Sequence, residues 1–266
     1  MNNWYEASIK SLIEEYFKMQ GLDITFDSSL YWDVAIESWL NTIPKEEHEQ
    51  FLKIAKDARF YAFNKKYGAY EYATDYRSVC PNWNTIILNE VTKILGHLEG
   101  KKVVAVGANN GSELAIIFEK DFSSMSFDVV EISEDACKKG KELFPSVNFH
   151  CTSMDEVELE EGKYDIFISL RAAYCAGNNL DFIAEKAYRS VKPGGVILFS
   201  ISNGYIDVSN GAYTPIKGVY NPENNACNES ETALNLGWMK ESMLLHGCTQ
   251  VDVVDAESEI LLISKK

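Results

Sequence analysis

The sequence is short of positive charge. It holds 25 Lys and Arg against 40 Asp and Glu, so 25 − 40 leaves −15, and the pI is near 4.7. Nucleic-acid backbones and anionic lipid surfaces both require clustered cations, so neither is an expected partner. Long apolar runs are missing as well. None approaches the roughly 18 residues that a bilayer span needs, and the opening MNNWYEASIKSLIEEYF lacks the basic start and apolar stretch of a secretion signal. Cysteine clustering is a third absence: the six cysteines are scattered, with no CxxC and no Cys/His group. That scatter predicts free thiols, not a disulfide framework or a zinc site. Cys137, Cys151 and Cys248 fall within helix or strand patterns, where a thiol acts as a small apolar residue. The absences together predict a cytoplasmic protein with no metal. What is present is an apolar fraction of 46%, enough to bury a core.

Two periodicities meet near residue 100. Before it, apolar residues recur at helical spacing: Ile9, Leu12, Ile13, Tyr16 and Phe17, then Tyr31, Val34, Ala35, Ser38 and Trp39. Asp27, Ser28 and Ser29 are N-cap candidates for the second helix. A third helix is predicted from about Pro44 to Phe63, and a fourth opens after Pro81 and ends at Gly96 or Gly100. Beyond Lys101, short apolar runs alternate with helical patterns, the signature of a parallel α/β sheet. The strands read as 102–106, 126–132, 147–151, 164–169 and 195–202, with helices near 111–121, 134–143 and 180–191. A Gly/Asn/Pro-rich stretch over 203–229 reads as a loop or lid. After a helix near 230–246, the runs TQVDVV and EILLIS are joined only by DAES. So short a connection forces them antiparallel, since a parallel pair needs a crossover of a dozen residues or more.

The first strand ends in VVAVGANNGSE, where Gly107 and Gly111 flank a turn that opens a helix. Glycine lets a backbone approach a ligand closely, and a helix N-terminus offers unpaired N–H groups. An ordinary strand–helix turn would look the same. The second strand ends in FDVVEIS, placing Glu131 a further 131 − 107 = 24 residues on. A carboxylate at that strand tip can accept both hydroxyls of a ribose diol, although a solvated charge at a strand end is the plainer alternative. Turn and acid together point to an adenosine-containing ligand. A nicotinamide-dependent oxidoreductase shares the acid but needs a GxGxxG turn, which is missing.

At these residues the chain resembles the class I S-adenosylmethionine-dependent methyltransferases, over roughly residues 83–266. VVAVGANNGSE is similar to their first motif, CTSMDEV to the adenine segment after the third strand, and YDIFISLRAAY to the fourth-strand motif. VKPGGVILFS is similar to the turn entering their fifth strand. The resemblance implies a Rossmann-like doubly wound α/β sheet with a terminal antiparallel strand pair, preceded by a helical cap over residues 1–82. It implies S-adenosylmethionine as cofactor. Gly107, Ala108, Asn109 and Gly111 would line its methionine and ribose, Glu131 would hold its ribose, Ser153 and Met154 would border its adenine, and Ile132 would also contact it. Ser169, Leu170 and Arg171 would border it from the fourth strand. The departures are Ala105 and Val106 where the family carries an acid before its first glycine, Asn109 in place of a second glycine, and Ser153 in place of an aspartate.

A sulfonium methyl is already electrophilic, so transfer needs mainly in-line placement of a nucleophile. That suits a chain without evident acid–base machinery; His48, His97, His150 and His246 read as surface or packing residues. Ligands of open α/β sheets bind beyond the carboxyl ends of the strands, which directs attention to Tyr174, Ser202 and Asn203 as reaction-site candidates. A tyrosine face could stabilise the sulfonium by about 0.5–2 kcal/mol. Tyr70, Tyr76, Arg77 and Tyr205 are the substrate-contact candidates, with packing between helices the alternative for the aromatic ones. The expected substrate is a small molecule, neutral, cationic or amino-acid-like. Attack on the aminobutyrate chain of the cofactor, releasing methylthioadenosine, and non-catalytic cofactor binding remain as alternatives. Oligomeric state is not legible.

Overall fold

The computed structural model describes residues 7–25, 32–67, 82–170, 172–173, 180–202, 204–207, 212–215, 220–221, 226–227, 231–256 and 259–266. The N-terminal region forms helices α1 (Ala7–Met19), α2 (Trp32–Leu40) and α3 (His48–Tyr67), with a single 3-10 turn at Lys45–Glu47. Ile13 and Phe17 of α1 are fully buried against Phe51, Ala55, Ala58 and Ala62 of α3. Alanines spaced along one stripe keep that face flat, and Phe17 stacks on Phe51 at 6.2 Å and meets Trp39 edge-on at 5.5 Å. In α2 the buried pair is Ala35 and Ile36, whereas Val34 and Ser38 are exposed. The expected stripe is therefore rotated by one position. The N-cap candidates Asp27, Ser28 and Ser29 lie outside the described residues.

Helix α4 (Trp83–Leu95) leads into the sheet and stops at Gly96, whose φ of +78° few other residues tolerate. The strands are β1 (Lys102–Val106), β2 (Ser126–Glu131), β3 (Asn148–Cys151), β4 (Tyr164–Leu170), β5 (Val191–Ser202), β10 (Gln250–Ala256) and β11 (Glu259–Lys265). Their order is β10-β11-β5-β4-β1-β2-β3. β1 to β5 pair in parallel, and β11 runs antiparallel to both β5 and β10, as the short DAES connection requires. Helices α5 (Ser112–Ile117), α6 (Glu134–Leu143), α7 (Leu180–Ser190) and α8 (Glu231–Leu245) connect them. Alternate strand residues feed two cores, one per face: Val104, Phe167, Phe199 and Leu262 on one side, and Ala105, Ile166, Leu198 and Leu261, joined by Trp83 of α4, on the other. This is the doubly wound α/β architecture expected.

Several elements differ from expectation, beginning with helix α3, which starts at His48, after the 3-10 turn, and runs to Tyr67 where Pro44 to Phe63 was expected. Helix α5 is shorter than 111–121, because the fully buried Phe118 ends it and a 3-10 turn at Phe122–Ser124 carries the chain on to β2. Strand β5 begins at Val191, taking the Lys-Pro-Gly-Gly turn into the sheet through a register shift opposite Tyr164 and Ile166. The stretch 203–229, expected as a loop, carries β6 (Gly204–Asp207) paired with β7 (Ala212–Pro215) and β8 (Tyr220–Asn221) paired with β9 (Ala226–Cys227), all antiparallel.

Candidate cofactor site

The carboxyl ends of β1, β2 and β3 lie side by side in the sheet, so the segments that follow them form one edge. After β1 the chain turns through Gly107 at φ +70°, where a Cβ would lie 2.2 Å from the Cβ of Ala172. Only glycine fits there. Asn109 also stands in the left-handed region, at φ +49°, the one described non-glycine residue with positive φ. Asparagine tolerates that conformation better than most residues, which accounts for its standing where the family has a glycine. Its side chain accepts from Asn110 N–H at 2.8 Å, and Asn110 in turn accepts from Ser112 N–H at 3.0 Å. These local bonds fix the turn and leave Gly111 at φ +81° before the first turn of α5.

Glu131 ends β2 and is 6% exposed. Its Oε2 accepts from Asn109 N–H and its Oε1 from Ser133 N–H, both at 2.9 Å. Burial pushes the carboxyl above its ordinary range, opposed by N–H donation from Ser133, Asn109 and Ile132. Those three donors face about four lone-pair sites on a carboxylate, so acceptor capacity remains for a ligand hydroxyl. Next to it, Ser133 caps α6 by accepting from Ala136 N–H at 3.2 Å.

After β3, Ser153 and Met154 are 6% and 4% exposed. Lys186 of α7 donates to the carbonyls of Met154 (2.6 Å) and Asp155 (3.2 Å). Asp155, the acid nearest to the absent family aspartate, receives Arg59 of α3 at 2.5 Å. In β4, Ser169 turns its hydroxyl back to the carbonyl of Val106 at 3.2 Å, tying two strand ends together, and Leu170 belongs to the core. Ala108 is buried and Ile132 packs against the N-terminal helices.

The structure thus gathers Gly107, Ala108, Asn109, Gly111, Glu131, Ile132, Ser153, Met154, Ser169 and Leu170 at the carboxyl ends of β1 to β4. Ser202 ends β5 and Tyr205 lies in β6, by backbone position. Arg171, Tyr174, Asn203, Tyr70, Tyr76 and Arg77 lie outside the described residues. Sequence reasoning missed Arg59 and Asn64, since one polar residue on a helix signals nothing about its partner. It also missed Glu259, fully buried and accepting from Trp83 Nε1–H at 2.9 Å. An acid opening an otherwise apolar strand, EILLIS, was the available signal. Among the described residues no group of His, Cys, Asp and Glu could hold a metal, and Cys137, Cys151 and Cys248 are free. No helix among them is long and apolar enough to cross a membrane.

These residues fit S-adenosylmethionine: a glycine turn that a Cβ would block, a helix N-terminus, and a buried carboxylate that meets only backbone donors. Residues 103–195 match a family model described as a methyltransferase domain. No curated protein matches the chain. Among solved structures, a candidate S-adenosyl-L-methionine-dependent methyltransferase from Methanococcus maripaludis is 12% identical, with TM-score 0.51 over 72% of this chain and 88% of that one. A candidate sarcosine dimethylglycine methyltransferase from Galdieria sulphuraria is 16% identical, with TM-score 0.45 over 66% of this chain and 64% of that one. A phosphoethanolamine N-methyltransferase from Haemonchus contortus is 17% identical, with TM-score 0.46 over 68% of this chain and 42% of that one. The chain spans less than two thirds of the last two. At 12% identity the likeness to the first of these speaks for the fold alone, and the domain match over residues 103–195 stands beside it. Residues 103–195 thus match a methyltransferase domain within a fold shared with S-adenosylmethionine-dependent methyltransferases, which supports a transferase with S-adenosylmethionine as its cofactor.

Proposed function

We propose that the protein transfers the cofactor's methyl group to a small molecule, neutral, cationic or amino-acid-like, by in-line displacement. The cofactor supplies an electrophilic methyl on a sulfonium, so the chain's own task is to bind, orient and exclude water. In this reading Gly107, Ala108, Asn109 and Gly111 approach the methionine and ribose, Glu131 accepts ribose hydroxyls, Ser153 and Met154 border the adenine, and Ile132 also contacts the cofactor. Ser169, Leu170 and Arg171 close that wall. Tyr174, Ser202 and Asn203 are assigned to the reacting end, and Tyr70, Tyr76, Arg77 and Tyr205 to the substrate. Residues 1–82 form the cap and 83–266 the cofactor domain, in the cytoplasm.

The observation that carries the substrate class is helix α3, whose side chains meet the segments after both β2 and β3. That helix roofs part of the edge where a polynucleotide would otherwise lie, and a chain of net charge −15 offers a polyanion little attraction. The test is to incubate purified protein with S-adenosylmethionine and a fractionated metabolite extract, then identify the released nucleoside by mass spectrometry. S-adenosylhomocysteine with a methylated small product is expected. Methylthioadenosine would overturn methyl transfer in favour of attack on the aminobutyrate chain, and methylation only of added RNA or protein would overturn the substrate class.

A further inference from the structure

We infer that Arg59, on the N-terminal helix α3, is a positioning residue for the cofactor: through Asp155 it sets the adenine segment. The inference rests on the cofactor assignment and not on which substrate accepts the methyl.

Helix α3 has two working faces. Phe51, Ala55, Ala58 and Ala62 are buried within the helical layer. The other face carries Lys56, Arg59 and Asn64, spaced so that all three look toward the sheet edge. Lys56 pairs with Glu156 at 2.8 Å and Arg59 with Asp155 at 2.5 Å. Two turns further on, about 12 Å from Lys56 along the axis, the Asn64 side-chain oxygen accepts from Ser133 Oγ–H at 2.9 Å and from Asp135 N–H at 3.4 Å. One rigid helix therefore touches both the segment beside Ser153 and Met154 and the segment beside Glu131.

The contacts are not equivalent. Both members of the Lys56–Glu156 pair are exposed, with side-chain exposures of 50% and 40%, and such pairs contribute little. The Arg59 side chain is 5% exposed. A buried guanidinium is costly unless paired in good geometry, so the pairing at Asp155 is strongly preferred over its loss. Asp155 therefore cannot drift while α3 stays seated. Its main chain is also gripped, since Lys186 of α7 donates to the carbonyls of Met154 and Asp155. Met154 carries part of the second anchor, and Ser153 directly precedes it. Taking away Arg59 releases one anchor and leaves the other, so the adenine wall loosens while the core stays intact.

The experiment is calorimetric titration of S-adenosylhomocysteine into the full chain and its variants, each checked for a native circular dichroism spectrum and melting transition. For Arg59→Ala, binding about tenfold weaker is expected, with Arg59→Lys between it and the wild type. Asp155→Asn, altered at the exposed end of the pair, should weaken binding comparably and serves if Arg59→Ala does not fold. Lys56→Ala should stay within twofold. In Arg59→Asp combined with Asp155→Arg, affinity should recover at least threefold over either single change. Affinity within twofold of wild type in a folded Arg59→Ala or Asp155→Asn would overturn the inference, even with a lowered melting point, because it would show a purely structural tie. A loss in Lys56→Ala equal to that in Arg59→Ala would overturn it too.

Discussion

Strand β2 carries two carboxylates three residues apart that solve the same problem in opposite ways. Asp128, toward the amino end, accepts from Tyr164 Oη–H (2.6 Å), Asn148 Nδ2–H (2.8 Å) and Lys163 Nζ (3.0 Å). Burial alone would raise its pKa, but these side-chain donors outweigh burial and hold it below the usual carboxylate range. Glu131, at the carboxyl end, meets backbone N–H groups only, and burial wins, pushing its pKa up. The contrast separates a structural anion from the one that the proposed function assigns to the ribose. A lysine neutralises Asp128 and adds an ion pair within the fold. Backbone donors orient Glu131 without neutralising it, so its remaining charge is available to a ligand.

The comparison breaks most visibly at Glu131. Replacing it by glutamine turns one acceptor oxygen into a donor that faces Asn109 or Ser133 N–H. A hydrogen bond to a charged group is worth about 1.5–3 kcal/mol, so affinity for S-adenosylhomocysteine should fall roughly 10- to 100-fold. The melting point should move little, because removing a buried charge offsets the lost bond. Calorimetric titration beside a thermal melt measures both. A large drop in melting temperature with unchanged affinity would make Glu131 another Asp128.

Asp128→Asn is the mirror experiment. An amide keeps one oxygen for Tyr164 and loses the pairing with Lys163, so unfolding stability should drop by about 1–1.5 kcal/mol. Urea denaturation reads this. Cofactor affinity should stay within twofold, since Asp128 lies three residues before the carboxyl end of β2.

Why the sheet was legible and its roof was not follows from the kinds of residue involved. Strands such as KVVAV and YDIFISL are buried on both faces, so they read as continuous apolar runs bounded by turns. Glu131 was legible because an acid ending such a run is conspicuous. The Asn109 turn was legible as a departure, and its positive φ supplies the reason. Arg59 was invisible: it sits among the charges of KIAKDARFYAFNKK, and only the folded chain brings it to Asp155, 96 residues away. The rotation of α2, which exposes Val34, likewise comes from how the helix meets Phe17 and Phe51, not from its own period.

The two carboxylates should also bend the pH profile of stability in opposite directions. Asp128 has a folded pKa below its unfolded one, so its contribution is present above the unfolded value and is lost as pH falls through the folded value. Glu131 has a folded pKa above its unfolded one, so its contribution is present below the unfolded value and is lost as pH rises through the folded value. Between pH 3 and 7, thermal melts of Asp128→Asn should show a shallower acid loss than wild type, and those of Glu131→Gln a steeper one. Under the proposed function, cofactor affinity should follow Glu131 and not Asp128. It should weaken on acidification from above the usual carboxylate range, and Glu131→Gln should abolish that dependence.

The smallest effect sharpens the comparison at the donor that serves Glu131. Asn109→Gly relieves the left-handed strain of a residue at φ +49° but gives up the 2.8 Å bond to Asn110 N–H. Left-handed backbone costs an ordinary residue about 1–2 kcal/mol, less for asparagine, and the bond contributes about 0.5–1.5 kcal/mol. The two nearly cancel, so Asn109→Gly should shift stability by less than about 0.5 kcal/mol while the Asn109 N–H, a backbone group, still reaches Glu131. Asn109→Val has the same bond to lose and nothing to gain, because a β-branched residue resists positive φ. It should lose about 2 kcal/mol and tilt the N–H away from the carboxylate, weakening cofactor binding as well. If valine and glycine proved equivalent in urea denaturation and titration, the turn would not be what aims the donor.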